Sequence, residues 1–400
     1  MEEKDKIKSY WTSWANGNVS VVPRIIELCP ELAPLMHTPQ SRSLHSEGTV
    51  GRHTILTCEA ANDLIGAIDL NYRKIFRFAA LLHDVGKPHC LIEAAPGIYS
   101  FPDVNNVSCK QARIILDKYA QLSIKEREMT LALINNHIYP VKIIQQDLSV
   151  RELYKISLES DLETLYYLAK SNYIGRKALN LRERFEIIEK FKHLCIDHNL
   201  WKGHSWGGLL PVDNFKKYGK NAQAIKNTID WFYLTGAIEN EYHARDWFLS
   251  LNEWQGGTLY FTVGPPGSGK STWINKNYSM VPVVSSDGIR VELSGNMVDQ
   301  SRNDQVYEIA HTRIKEYLRD GKQVVFDTTN VNFNKRKAII NIARNLGAHV
   351  ICLFFSTTYE NCLARVKNRP ELPLSKEVID EMYREFDYVS SYEYDKIIYV

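Results

Sequence analysis

The stretch Gly264-Pro265-Pro266-Gly267-Ser268-Gly269-Lys270-Ser271 constrains this 400-residue chain more than any other. It fits G-x-x-x-x-G-K-[ST] in full. The β-rich run TLYFTV precedes it and the helical run STWINKNY follows, which is the context the pattern requires. Glycines at these places let the backbone curl until several N–H groups face one phosphate chain. Lys270 adds a point charge for the outer phosphates, Ser271 offers a hydroxyl to a magnesium ion, and the helix that starts here adds the positive end of its dipole. Gly264, Gly267, Ser268, Gly269, Lys270, Ser271 and Thr272 are the expected nucleotide contacts.

The surroundings of the loop set the fold class. From residue 256 onward, short apolar or β-branched runs (Thr258–Val263, Val281–Ser285, Gln323–Asp327, His349–Phe355) alternate with helical stretches. That alternation predicts a parallel sheet with crossover helices. Residues 1–195 read as helical, with apolar positions at helix spacing in Ile75–Leu82, Ala112–Tyr119, Met129–Ile134 and Leu162–Leu168. Between them, WKGHSWGGLLPVDNFKKYGKN is too aromatic for a flexible linker, so residues 196–255 are expected to form a packed helical connector. The expected architecture is multidomain, α and α/β: an all-helical domain over 1–195, the connector over 196–255, and a P-loop α/β domain with a mainly parallel sheet over 256–400.

Bulk composition narrows the classes. At 44% hydrophobic and 24% charged, a chain of this length buries a core without disulfide or metal staples. A net charge of +2 predicts no partner by itself, so any nucleic-acid site must be a local basic patch. Seven cysteines, an odd number with no C-x-x-C pair, favour reduced thiols. The polar start MEEKDKIKSYW and the lack of any long apolar run predict a soluble cytoplasmic protein with no membrane role.

Three later segments bear on the phosphate loop. Asp287 and Arg290, in SSDGIR, follow the second β run, at the carboxyl edge of a parallel sheet. A carboxylate there can take the proton of an attacking hydroxyl, and an arginine one helical turn on can neutralise an acceptor phosphate. The plainer reading is a helix N-cap with a surface arginine. Asp327 ends the strand in VVFDTTN at a Walker-B-like position, or serves the acceptor. Arg365 and Arg369, four apart in ARVKNRP, share one helical face and can close over the nucleotide as a lid.

GPPGSGKST, SDGIR, FDTTN and R-x-x-x-R, in this order and at compact spacing, resemble the 5′-kinase domain of phage-type polynucleotide kinase. The resemblance covers residues 256–400. It implies that Asp287 is the general base and Arg290 the acceptor-phosphate ligand. It also implies that Lys270 and Ser271 bind ATP and Mg2+, and that Arg369, with Arg365 behind it, contacts the donor phosphates.

The N-terminal half holds LLHDVGKP, in which His83 and Asp84 adjoin at the end of an apolar helix, and His53 upstream in HSEGTVGRHT. His and Asp side chains so placed can ligate one divalent ion. Lys87 stands just beyond and can hold a substrate phosphate; His45 is a weaker candidate for the same pocket and reads more simply as a surface loop histidine. These segments resemble the HD phosphohydrolase superfamily, and more narrowly its branch in RNA end-processing and nucleotidyltransferase proteins. The sequence departs from that pattern in two places. Asn172 stands where a further Asp ligand is expected, and an amide oxygen binds a cation more weakly than a carboxylate. Val104 or a neighbour stands where two-metal members carry a histidine. His137 fits a later histidine position. The expected ligands are His53, His83, Asp84 and Asn172 around one divalent metal such as Mn2+.

An HD domain ahead of such a kinase resembles the bifunctional HD-Pnk end-healing enzymes. That implies ATP-dependent phosphorylation of 5′-hydroxyl ends of RNA or DNA, removal of a 2′,3′-cyclic or 2′-phosphate, and a separate nucleic-acid ligase downstream. The alternatives are a nucleoside kinase, a kinase with a degenerate HD domain, or a P-loop switch protein that senses nucleotide. Two basic clusters, Lys335-Arg336-Lys337 and Lys216–Lys217 with Lys220, are candidate strand contacts or plain solvated cations.

Overall fold

The computed structural model describes residues 3–176, 181–249, 256–297, 299–368 and 374–400. The chain divides into two compact units, Met1–Trp206 and Gly207–Val400. Of the aromatic stretch after residue 195, residues 196–206 fall in the first unit and 207–249 in the second.

The first unit is mostly helical. At its centre lies the helix Arg73–Leu82, whose Ile75, Phe76, Phe78, Ala79, Ala80, Leu81 and Leu82 are all buried. Its Arg73, Lys74 and Arg77 share one half-buried face, and the apolar remainder has to be covered by neighbours. Helices Glu3–Ala15, Val50–Leu64, Ile124–Asn136 and Leu162–Ile174 pack around it. Trp11 stacks on Phe78 and on Tyr119, and Trp14 Nε1 donates to the Arg77 carbonyl at 3.2 Å. One contact fixes the helix that carries Asn172. A Cβ on Gly175 would lie 2.6 Å from Thr57 Oγ1 and 2.8 Å from Thr57 N, so only glycine lets these two helices meet. The structure adds one departure from the all-helical expectation, an antiparallel hairpin of β1 (Ile92–Ala95) and β2 (Ile98–Ser100). Pro96 forbids a helix interior there, and Pro96-Gly97 makes the turn.

The second unit holds a five-stranded, wholly parallel sheet: β3 (Thr258–Val263), β4 (Val283–Ser285), β5 (Gln323–Asp327), β6 (His349–Phe354) and β7 (Lys396–Tyr399). Their order across the sheet is β4-β5-β3-β6-β7. Strand order reverses at β3, so the crevice at its carboxyl end receives the loops after β3, β4 and β5. The observed β4 is two residues shorter than Val281–Ser285, and β7 had no counterpart in the sequence pattern. The helix Ala222–Leu234 belongs to this unit. Its Trp231 Nε1 donates to Asn341 Oδ1 at 2.8 Å, and its Asn227 Nδ2 donates to Asp395 Oδ1 at 2.9 Å. Among the described residues no helix is long and apolar enough to cross a membrane.

Candidate functional site

The phosphate loop leaves β3 at Gly264, whose N–H donates to the Thr329 carbonyl at 3.0 Å. That bond straps the loop to the segment after β5. At Gly269 the backbone turns left-handed (φ +93°) immediately before the helix Lys270–Asn277 begins. A side chain there would be strained, and the turn aims the first helical N–H groups into the crevice. Lys270 Nζ folds over the loop and donates to the Gly264 and Pro265 carbonyls at 3.0 and 2.8 Å. Arg365, on the helix Tyr359–Lys367, donates to the Gly267 carbonyl at 3.1 Å. Arg369 lies outside the described residues.

Ser285 and Asp327 are register partners on β4 and β5, so both strands deliver their carboxyl ends to the same place. Ser271 Oγ donates to Asp327 Oδ2 at 2.8 Å. Two neighbouring oxygen ligands of an octahedral Mg2+ stand about 2.8–3.0 Å apart, so this pair fits the ion. Burial raises the pKa of Asp327, while Lys270 and Ser271 pull it back. Two residues past β4, Asp287 opens the helix Ser286–Ser294, which Ser285 caps by accepting from Gly288 N. Its side chain is 54% exposed. Arg290 Nη1 donates to Asp287 Oδ1 at 2.5 Å, and Asn303 Oδ1 accepts from Arg290 Nη2 at 3.0 Å. Asn303 lies on the next helix, thirteen positions on, and no motif pointed to it. A cleft of about 750 Å³ is lined by the phosphate-loop residues Gly267, Ser268, Gly269, Lys270, Ser271 and Thr272 together with Asp287, Arg290, Asp327, Lys335 and Arg365.

Arg336 is neither a strand contact nor a solvated cation, the two readings its sequence left open. It is fully buried, pairs with Glu393 at 2.6 and 3.2 Å, and donates to the carbonyls of Asn330, Val331 and Tyr388. Its neighbour Lys335 does reach the cleft. Of the other basic cluster, Lys216 pairs with Asp213 and Lys217 lies over the Tyr218 and Phe248 rings.

In the first unit, His53 comes from the helix Val50–Leu64, His83 and Asp84 from the end of Arg73–Leu82, and Asn172 from Leu162–Ile174. Their polar atoms converge. His53 Nε2 lies 3.4 Å from His83 Nε2, 3.8 Å from Asp84 Oδ2 and 3.1 Å from Asn172 Oδ1. Two imidazole nitrogens each about 2.1 Å from one tetrahedral ion stand about 3.4 Å apart, so the separation fits a shared metal. The far nitrogens each have an oxygen nearby. His83 Nδ1 faces the Ala80 carbonyl at 2.9 Å, and His53 Nδ1 lies 3.1 Å from Glu47 Oε1. Such outer partners fix which ring nitrogen faces the ion. Burial, with the neighbouring His83, drives the pKa of His53 down to about 3, which keeps the imidazole neutral as a ligand must be. Burial works against the Asp84 carboxylate, but His83 and Lys87 outweigh it and hold its pKa well below the usual range.

Lys87 is buried, with Nζ 2.7 Å from both Asp84 Oδ2 and Gln40 Oε1. His45 is also buried and lies 2.7 Å from Glu47 Oε1, on the far side of His53 from the other ligands. His137 stacks edge-on against His83, with centroids 5.2 Å apart, and its Nδ1 faces the Ile134 carbonyl. Val104 opens the helix Val104–Tyr119. Among the described residues the metal-capable groups are His53–His83–Asp84 and His45–Glu47–His53. Glu47, Gln40 and Arg176 were missed in the sequence. Glu47 left a faint signal, a carboxylate six residues before a candidate ligand histidine.

Residues 259–388 match the AAA domain family, so the C-terminal part is a P-loop, kinase-like nucleotide-binding domain. Over 97 residues the chain is 36% identical to a multifunctional CCA protein of Halorhodospira halophila (strain DSM 244 / SL1). That match covers 22% of this chain and 22% of the relative, so the chain spans about a fifth of the curated relative it resembles.

Proposed function

We propose that the second unit transfers the γ-phosphoryl group of ATP to the 5′-hydroxyl of an RNA or DNA end. The first unit, with one divalent ion such as Mn2+, removes a 2′,3′-cyclic or 2′-phosphate. The observation that carries the kinase reading is the position of Asp287. It is half exposed and lines the same cleft as Lys270 and Ser271. In the transfer, the acceptor oxygen attacks the γ-phosphorus, its proton passes to an Asp287 carboxylate oxygen, and the bond to the ADP oxygen breaks. Arg290, held by Asn303, orients that carboxylate and presents N–H groups to the acceptor's phosphate. Lys270 and Arg365 meet charge on the donor phosphates. Ser271 and Asp327 would hold Mg2+, which shields the donor phosphates when bound.

In the first unit His53, His83, Asp84 and Asn172 would hold the ion, which supplies Lewis acidity when bound. Lys87 orients the phosphate beside it. The products, a 5′-phosphate and free 2′- and 3′-hydroxyls, are what a ligase takes.

The test is one RNA with a 5′-hydroxyl and a 2′,3′-cyclic phosphate, assayed at both ends with ATP, Mg2+ and Mn2+. The expected result is transfer to the RNA but not to free nucleosides, lost in Lys270→Ala, and release of phosphate lost in Asp84→Ala. Transfer to nucleosides alone would make this a small-molecule kinase. ATP hydrolysis without an acceptor, retained in Asp287→Ala, would make it a switch protein.

A further inference from the structure

Asn172 has two neighbours, not one. Its Oδ1 stands 3.1 Å from His53 Nε2 and also accepts from Arg176 Nε at 3.2 Å. Arg176 lies one helical turn beyond, half-buried, with its guanidinium over the Tyr173 ring at 4.7 Å. Among the described residues no carboxylate lies within salt-bridge distance of it, and Asp84 and Glu47 act on it only from farther off. Through Asn172 it joins the cluster that Lys87 joins through Asp84. Burial, and then the like charge of Arg176, lowers the pKa of Lys87, and both cations act on His45.

Resting on the metal-centre reading above, we propose that Arg176 and Lys87 form a phosphate subsite of the first unit. The amide at Asn172 leaves the Arg176 charge available to the phosphate. The reasoning is electrostatic. A carboxylate at position 172 would meet Arg176 Nε at hydrogen-bond distance and make a charge-assisted pair with it. That pair would spend the guanidinium's charge on the protein. With an amide the Nε bond is kept, so the side chain stays oriented, but its charge is not neutralised. Two cations, Lys87 and Arg176, then balance two carboxylates, Asp84 and Glu47. A divalent ion tips the pocket positive by two, which matches a phosphate dianion. The chain gives up some metal affinity and gains grip on the phosphoryl group.

The experiment is calorimetry on the full chain, with the nucleotide site of the second unit saturated by a non-hydrolysable ATP analogue. Mn2+ is titrated first, then inorganic phosphate into the Mn2+-loaded protein. The parent is expected to bind phosphate. Arg176→Gln is expected to lose about 10- to 100-fold of that affinity, the range of one charged hydrogen-bonding partner, with Mn2+ affinity within about threefold of the parent. Arg176→Lys keeps the charge and is expected to recover part of the loss, which separates charge from folding. Asn172→Asp is expected to move the two affinities in opposite directions, Mn2+ tighter and phosphate weaker by about tenfold. No phosphate binding by the parent, equal binding by Arg176→Gln, or an Asn172→Asp protein that tightens both ligands would overturn the proposal. Because no turnover is read, phosphate binding that follows this pattern in a protein inactive on cyclic ends would sink the esterase reading and leave the subsite standing.

Discussion

The candidate centre of the first unit is closed, with its ligands set by packing. His53 is 0% and Asp84 4% exposed, and His53 and Asn172 sit on the two helices whose approach Gly175 fixes. The candidate centre of the second unit is an open cleft in which Asp287 is 54% exposed and the groups around it stand on loops and helix ends. A metal site gains from the first design, because a bound ion tolerates little error in ligand position. A phosphoryl-transfer site that admits a polymer end needs the second, because the acceptor must enter and leave. Substitutions in the first centre should therefore change what binds, and substitutions in the second should change the rate.

The sharpest break would come at Asp287. Asp287→Asn removes the proton acceptor and keeps the shape, so single-turnover transfer is expected to fall about 10²- to 10⁴-fold with ATP affinity unchanged. A loss below tenfold would take Asp287 out of the chemistry. Next in size is Arg336→Met. Breaking a fully buried pair leaves Glu393 uncompensated, and a cost of about 3–5 kcal/mol is expected in urea unfolding followed in the second unit. Lys335→Met, one residue away and exposed, is expected to change stability by no more than about 0.5 kcal/mol. Equal effects at the two positions would mean that the buried pair contributes nothing to stability.

That contrast also marks how far the sequence could be read. The phosphate loop was legible because it is local: strand, turn and helix lie within twenty residues and each constrains the next. Asp287 and Asp327 were legible as strand-edge residues because a parallel sheet sends every carboxyl end to one side. His53, His83 and Asp84 stood out through their flanking residues, and the helix packing gathers them. Lys335, Arg336 and Lys337 look alike in sequence, yet successive helix residues point about 100° apart. Which one is buried is decided by Glu393, fifty-seven positions away. Asn303, Gln40 and Arg176 were illegible for the same reason. Each acquires meaning only from a partner on another element or another turn.

Metal loading sharpens the comparison in thermodynamic terms. An ion that binds only the folded first unit at one hundred times its Kd should raise that unit's unfolding free energy by about 2.7 kcal/mol. Hydrogen exchange is expected to slow in the helices Val50–Leu64 and Leu162–Ile174 on addition of Mn2+ and to recover with a chelator, while amides of β3 to β7 stay unchanged. Slowing confined to the second unit would place the preferred ion there and count against the first centre as a metal site.

The smallest expected effect tests whether the open cleft is closed over its donor nucleotide by Arg365. That side chain donates to the Gly267 carbonyl, so its charge already lies against the phosphate loop. An exposed hydrogen bond of this kind contributes about 0.5–1.5 kcal/mol. If its role were only to brace the loop, Arg365→Ala would weaken ATP and ADP alike by about two- to tenfold. If the guanidinium instead meets the transferring phosphoryl group, ADP affinity should hold while the transfer step slows, because the charge it answers develops only during the reaction. Measuring ADP binding and single-turnover transfer on the same variant separates the two. The second outcome is the one expected of a residue that acts on the transferring phosphoryl group, and it has no counterpart in the first unit, where binding and positioning cannot be pulled apart by removing one exposed side chain.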